Sequence, residues 1–140
     1  MLLSNGNLWD HNDGYIAITT NGVIKDNGDL VMGAGVALEA KVRYPELPTI
    51  LGKYVFEYGN QPYICKKFKL ISFPTKHHFK NPSDIDLILQ SARILTKMLD
   101  RIDIQKVYMP KPGCGNGGLQ WIYVKPLLEK ILDDRFTIIE

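Results

Sequence analysis

The residues best placed to do chemistry are the glycines of Lys111-Pro112-Gly113-Cys114-Gly115-Asn116-Gly117-Gly118-Leu119-Gln120-Trp121, four of which fall within positions 113–118. A loop this poor in side chains lets backbone N–H groups approach a ligand closely. It lies between an apolar run, Val107 to Met109, and a helix-like run from Trp121 to Leu132. At the mouth of a helix such donors meet the positive end of the dipole, so the natural ligand is a phosphate or pyrophosphate. Met32-Gly33-Ala34-Gly35-Val36-Ala37-Leu38 opens a second helix-like segment in the same manner. Taken alone, either is equally a tight turn. Together, two such openings can grip the two ends of one diphosphate.

Few other side chains offer chemistry. Lys76 follows an apolar run that ends at Pro74, which puts it at a sheet edge, where ligands of layered α/β folds bind. A lysine there can stabilise charge as a cation, or attack an aldehyde as a free amine; most lysines are simply solvated. His77 and His78 are neighbours, so on an extended chain at most one faces a site. Cys114 has no base near it in sequence and reads as a small residue beside phosphate. No residues stand at metal-ligand spacing, so neither metal nor cofactor is expected. Lys66, Lys67, Lys69, Lys76 and Lys80 alternate with Tyr63, Phe68, Phe73 and Phe79. That composition suits a strand-binding surface. It also suits the polar outer face of a β-hairpin, the reading preferred here.

Something must position these groups. A chain of 140 residues, 45% apolar and 23% charged, suits one domain spanning 1–140 with its own core. A net charge of +2 does not by itself demand nucleic acid. Two cysteines make no disulfide framework, and Cys114 between glycines should be free. No apolar run reaches the roughly 18 residues of a membrane span, and the first residues do not resemble a signal peptide. The expectation is therefore a cytoplasmic, monomeric protein without membrane contact.

Periodicity supplies the elements. Tyr15 to Thr19 reads as a buried strand before the turn at Asn21-Gly22. Gly33 to Tyr44 reads as a helix stopped by Pro45, and Leu47 to Tyr58 as a helix closed by Gly59. Pro62 to Cys65 and Phe68 to Phe73 pair as strands. Ser83 is the predicted N-cap of a helix carrying Ile85, Ile88, Ala92, Leu95, Leu99 and Ile102 on one face. Lys106 to Met109 is a strand and Phe136 to Ile139 the last one. Trp121 to Asp133 is a helix whose start is drawn toward Tyr123 by Pro126, with Trp121 wedged between helix and sheet. Mixed strands and helices imply an α/β layered fold.

Gly113 to Gly118 also matches G-x-G-x-x-G by letter, with Glu140 about 20 residues on where a ribose-binding acid belongs. That fold requires further βαβ units after the acid, and none follows Glu140, so another topology is expected.

Several segments in order resemble the macrodomain family of ADP-ribose-binding modules, three-layer α/β/α folds with a central mixed sheet. These are Ile18-Thr19-Thr20-Asn21, the Met32 to Leu38 helix opening, and the run Pro110 to Trp121. The resemblance covers nearly the whole chain. Phe73-Pro74-Thr75-Lys76-His77-His78-Phe79 is similar to the Phe-Pro-Thr-Lys-x-His-aromatic loop of the branch of DNA ADP-ribosyl glycohydrolases (DarG type) and terminal ADP-ribose glycohydrolases.

The resemblance implies ADP-ribose, or a substrate carrying it, as partner. Asn21 would bond the distal ribose, and Gly33, Ala34, Gly35 and Val36 would line the pyrophosphate and distal ribose. Gly113, Cys114, Gly115, Asn116, Gly117, Gly118 and Leu119 would hold the phosphates, with Asn7 and Leu8 near adenine. Lys76 would be the catalytic residue. Many macrodomains have Asp where this chain has Asn7, so adenine selectivity is less strongly implied. Protein-directed relatives place an Asp where this chain has Gly117, so hydrolysis would rest on Lys76 and water, or on a group not evident in the sequence. The implied function is removal of ADP-ribose from a macromolecule, nucleic acid among the candidates. The alternatives are an ADP-ribose 1″-phosphate phosphatase and a non-catalytic ADP-ribose binder. Antitoxins of the DarG type carry a further region, so a chain ending at the macrodomain is expected to be a stand-alone enzyme.

Overall fold

The computed structural model describes residues 1–140. Its elements are β1 (Leu2–Ser4), a 3-10 turn (Leu8–Asp10), β2 (Tyr15–Thr20), α1 (Val36–Arg43), α2 (Leu47–Tyr58), β3 (Tyr63–Cys65), β4 (Leu70–Pro74), α3 (Ile85–Asp100), β5 (Val107–Pro110), a 3-10 turn (Gly115–Gly117), α4 (Trp121–Glu129) and β6 (Phe136–Ile139). One six-stranded sheet runs in the order β1-β6-β5-β2-β4-β3. Every pairing is parallel except β3 with β4. The expected α/β/α sandwich with a mixed sheet forms.

The central strands are apolar on both faces because both are covered. Ala17, Ile71, Phe73, Val107, Met109, Phe136 and Ile138 meet α3 and α4 on one face. Ile16, Ile18 and Leu70 meet α1, α2 and the segment bearing Leu30 and Met32 on the other. On α3, Ile88, Ala92, Leu95 and Leu99 are at most 2% exposed. Burying each large side chain is worth about 1.5–3 kcal/mol, against tenths for helix propensity, so packing positions this helix.

Several boundaries differ from the sequence reading for physical reasons. α1 starts at Val36, because Gly33 (φ 52°) and Gly35 (φ 64°) are left-handed and cannot join a right-handed helix. The cap of α3 is Asp84, not Ser83: the Asp84 carboxylate accepts from the Asp86 N–H at 3.0 Å. The Ser83 N–H instead donates to the Gly117 carbonyl at 2.9 Å, tying the start of α3 to the glycine loop. α4 begins at Trp121 and ends at Glu129 with Pro126 inside. Proline leaves the carbonyl four residues earlier unpaired, and that residue, Ile122, is 73% exposed, so water can serve it. Trp121 is half-buried against the core, its indole N–H donating to Glu140 at 3.1 Å. β1 was not anticipated. Its three residues show no alternation, and only pairing with β6 makes them a strand.

This topology decides where a ligand can go. The chain leaves β2 for helices on one face and leaves β5 for α4 on the opposite face. Between such diverging connections a crevice opens beyond the carboxyl ends of the strands.

Candidate functional site

A cleft of about 360 Å³ occupies that crevice. Its floor is the ends of the central strands: Thr19, Thr20 and Asn21 after β2, Thr75 and Lys76 after β4, and Pro110 and Lys111 after β5. One wall is the Gly33 to Ala37 opening of α1, and the other is Cys114 to Gly117. The two glycine-rich segments, far apart in sequence, therefore face one space.

Their backbones are what make the cleft a site. The N–H groups of residues 33–38 and 115–117 have no acceptor in the protein. Unpaired N–H groups at a concave surface, backed by the start of α1, favour an anion. At Gly115 (φ 71°) an added Cβ would meet nothing within 4 Å, so open space lies beyond the backbone. Gly35 approaches the opposite wall, where its Cβ would sit 3.3 Å from the Asn116 amide.

The lining contains two lysines and no carboxylate or histidine. Lys76 spans toward the glycine loop, its ammonium donating to the Asn116 carbonyl at 3.4 Å. Lys111 stands beyond β5. Cys114 is half-buried, and burial pushes its thiol above the ordinary value, more than Lys111 draws it down. It therefore stays protonated near neutrality, which argues against a nucleophilic role.

Asn21 lines the cleft but is already engaged. Its amide donates to the Val31 carbonyl at 2.8 Å and accepts from the Val23 N–H at 2.9 Å. It holds the β2–α1 connection in place, and one N–H of its amide is left for a ligand. Asn7 and Leu8 stand apart from the cleft lining. Asn7 caps the first 3-10 turn by accepting from the Trp9 N–H, and Leu8 is buried in the core. Gly113, Gly118 and Leu119 stand outside the cleft lining. A Cβ on Gly113 would sit 2.5 Å from Ile88 and 2.8 Å from Leu119, so that glycine serves packing. Gly118 (φ 80°) closes the 3-10 turn, and Leu119 packs on the core.

Neither histidine lines the cleft. His77 pairs with Asp84 at 2.8 Å in solvent, and that hydrogen bond holds the Asp84 carboxyl below the usual carboxylate range. His78 stacks on Phe79 with centroids 4.4 Å apart. The basic stretch divides. Lys66 and Lys67 lie in the β3–β4 turn, where Lys67 pairs with Glu46, whereas Lys76 and Phe79 line the cleft.

The sequence reading missed Ser83 as a site residue. It lies in the cleft lining, is 8% exposed, and its hydroxyl has no hydrogen-bond partner. A Cβ on Gly117 would meet that hydroxyl, so a side chain at 117 and a hydroxyl at 83 compete for one space. The helix-cap pattern hid this role, since a serine before two acids looks sufficiently explained.

No protein-family model matches the chain. Among characterised proteins, the DNA ADP-ribosyl glycohydrolase of Thermus aquaticus is 28% identical over 113 residues, covering 74% of this chain and 31% of that protein. The Mycobacterium tuberculosis protein of the same name is 35% identical over 103 residues, covering 65% and 28%. This chain thus spans about three-tenths of the length of the curated relatives it matches. The solved macrodomain of Thermus aquaticus DarG superposes with a TM-score of 0.81 at 25% identity, covering 99% of this chain and 97% of that one. Thermosipho africanus DarTG in complex with ADP-ribose gives 0.80 at 25% identity, covering 98% and 40%.

Proposed function

From the premise that the chain belongs to the macrodomain family, in its DarG branch, we propose that it binds ADP-ribose in the cleft and releases it from ADP-ribosylated nucleic acid. The observation that carries the binding reading is the pair of facing backbone segments, 33–37 and 115–117, whose N–H groups lack acceptors. A diphosphate offers acceptors to both at once. The relative from Thermosipho africanus holds ADP-ribose, and the Thermus and Mycobacterium relatives are named DNA ADP-ribosyl glycohydrolases.

Hydrolysis rests on Lys76. With no carboxylate or histidine in the lining, the charged groups are Lys76 and Lys111, and Lys76 is the one that reaches the glycine loop, where it could act on a glycosidic bond at the distal ribose. Two roles are open to it. As a cation it stabilises negative charge on the departing base. As a free amine it attacks the anomeric carbon as the ribose ring opens, so that a C–N bond to the lysine forms while the bond to the base breaks and the base leaves with a proton; water then hydrolyses the resulting Schiff base, freeing ADP-ribose and returning the amine. The acid that protein-directed relatives would carry at position 117 is absent, which argues against a protein-directed hydrolase.

Two measurements test this. Calorimetry should give tighter binding for ADP-ribose than for AMP, because AMP offers one phosphate to two N–H segments. Equal binding of AMP would refute the diphosphate reading of the cleft. The protein should then be incubated with ADP-ribosylated DNA, ADP-ribosylated protein and ADP-ribose 1″-phosphate. Release from the DNA alone is expected. Phosphate release alone would make the protein a phosphatase, and binding without any turnover would make it a reader of ADP-ribose.

A further inference from the structure

A second groove, about 380 Å³, runs beside the cleft and shares Met32, Gly33, Ala34 and Phe79 with it. Two of the four shared residues, Gly33 and Ala34, are small, so a bound molecule can pass over them from one space to the other. Lys25 and Lys41 stand in the groove, with Leu38 and Phe79 as its apolar surface. Leu38 and Lys41 are three residues apart and share one face of α1. Leu38 is 44% exposed, an apolar side chain facing solvent next to charge.

The charge here is unanswered. Neither Lys25 nor Lys41 forms an ion pair, and no carboxylate lines the groove. Of the acids near Lys25 in sequence, Asp29 accepts from the Thr49 hydroxyl, outside the groove. At the lip, Lys80 lies over the Phe79 ring at 5.9 Å, and it too has no acidic partner. Unneutralised lysines interleaved with an aromatic ring and an exposed leucine fit a single nucleic-acid strand, whose phosphates take the cations and whose base takes the apolar surface.

We propose that this groove holds the nucleic-acid strand bearing the ADP-ribose, with phosphates at Lys25 and Lys41 and a base against Leu38 and Phe79. The strand leaves the cleft across Gly33-Ala34, the end of the cleft nearest Phe79. The assignment rests on the reading of the cleft as an ADP-ribose site acting on nucleic acid, and goes beyond it by giving the polymer its own binding surface.

The test uses the full chain carrying Lys76→Ala, so that substrate is not consumed, with and without Lys25→Ala and Lys41→Ala. Both added substitutions fall on exposed side chains. The probes are free ADP-ribose, a short single-stranded oligonucleotide carrying one ADP-ribose, and an ADP-ribosylated peptide. Free ADP-ribose should bind both proteins alike; its failure to bind either would overturn the cleft reading itself, separately from the groove. The modified oligonucleotide should bind at least tenfold more tightly than free ADP-ribose, and the two substitutions should remove that gain. Each strand phosphate contributes a salt slope of about 0.7, so loss of two contacts should flatten the slope by about 1.4. An oligonucleotide that binds no better than ADP-ribose, or whose binding ignores both lysines, overturns the proposal. A lysine-dependent gain for the peptide alone assigns the groove to protein and overturns it equally.

Discussion

The two ends of the sheet carry similar residue types and treat them oppositely. At the amino end of β2 and β5, Asp13 accepts from the Tyr108 hydroxyl at 2.7 Å and from Lys106 at 2.9 Å, and His11 stacks on Tyr108 at 4.1 Å. The Tyr108 hydrogen bond, then Lys106, lowers the Asp13 carboxyl to about 2. Charges there are answered within the protein. At the carboxyl end, Lys76 finds only a carbonyl, Lys111 has no acid partner, two runs of backbone N–H groups lack acceptors, and the Ser83 hydroxyl is unpaired. Buried or concave polar groups without partners cost free energy unless something else satisfies them. One end is therefore a clasp between strands, and the other is a site whose electrostatics a bound anion completes.

The contrast breaks most sharply if a negative charge is placed in the cleft. Gly115→Glu puts a carboxylate into open space where a phosphate is proposed to lie. Repulsion between unit charges about 4 Å apart is roughly 4 kcal/mol at intermediate dielectric, so ADP-ribose affinity should fall about a thousandfold. The left-handed φ of 71° adds a folding cost of about 1–2 kcal/mol, seen as a melting shift of several degrees. A folded variant that keeps its affinity would show that the loop is only a turn.

Lys76→Ala should lower the rate of ADP-ribose release about a hundredfold while changing affinity less than tenfold, roughly 1.4 kcal/mol. On the proposed reading, binding rests on backbone donors, whereas the lysine acts where the bond breaks. Lys76→Arg separates the two roles. An inactive Arg variant requires a nucleophilic amine, since guanidinium stays charged; an active one leaves the electrostatic role. Full activity in the Ala variant would remove the catalytic assignment altogether.

At the other end of the sheet, Asp13→Asn should leave ADP-ribose affinity within about twofold of the parent's and alter only stability against pH. The folded carboxyl titrates near 2 and the unfolded one near 3.8, so its contribution is complete above about pH 4 and is lost as pH falls toward 2. Denaturation curves of parent and variant should differ at neutral pH and converge below about pH 2. A changed ligand affinity would mean that the two ends are coupled.

The smallest effect belongs to Ser83→Ala. Removing an unpaired buried hydroxyl should leave stability unchanged or raise it by up to about 1 kcal/mol, measured by denaturant unfolding. A loss larger than that would show that the hydroxyl has a partner in solution.

Local signals explain what the amino-acid sequence determined alone. The apolar face of α3, the stop at Gly59 after α2, the buried run of β2 and the two glycine-rich openings each follow from neighbours within a few residues, where propensity and periodicity act. The two glycine-rich segments were legible for the same reason, whereas Lys76 stood out only through the resemblance of its loop to that of a known family. The tertiary structure alone decided which of these groups meet. It placed residues 33–37 opposite 115–117, engaged the Asn21 amide with Val31 and Val23, and turned Ser83 from a cap into a cleft residue beneath Gly117. It also divided one basic stretch of sequence between two regions, and gathered Lys25, Lys41 and Phe79 from three separate segments into one groove. These outcomes depend on parallel strand order and on which face each helix covers, and those are fixed by burial between residues distant in sequence, which no local pattern encodes.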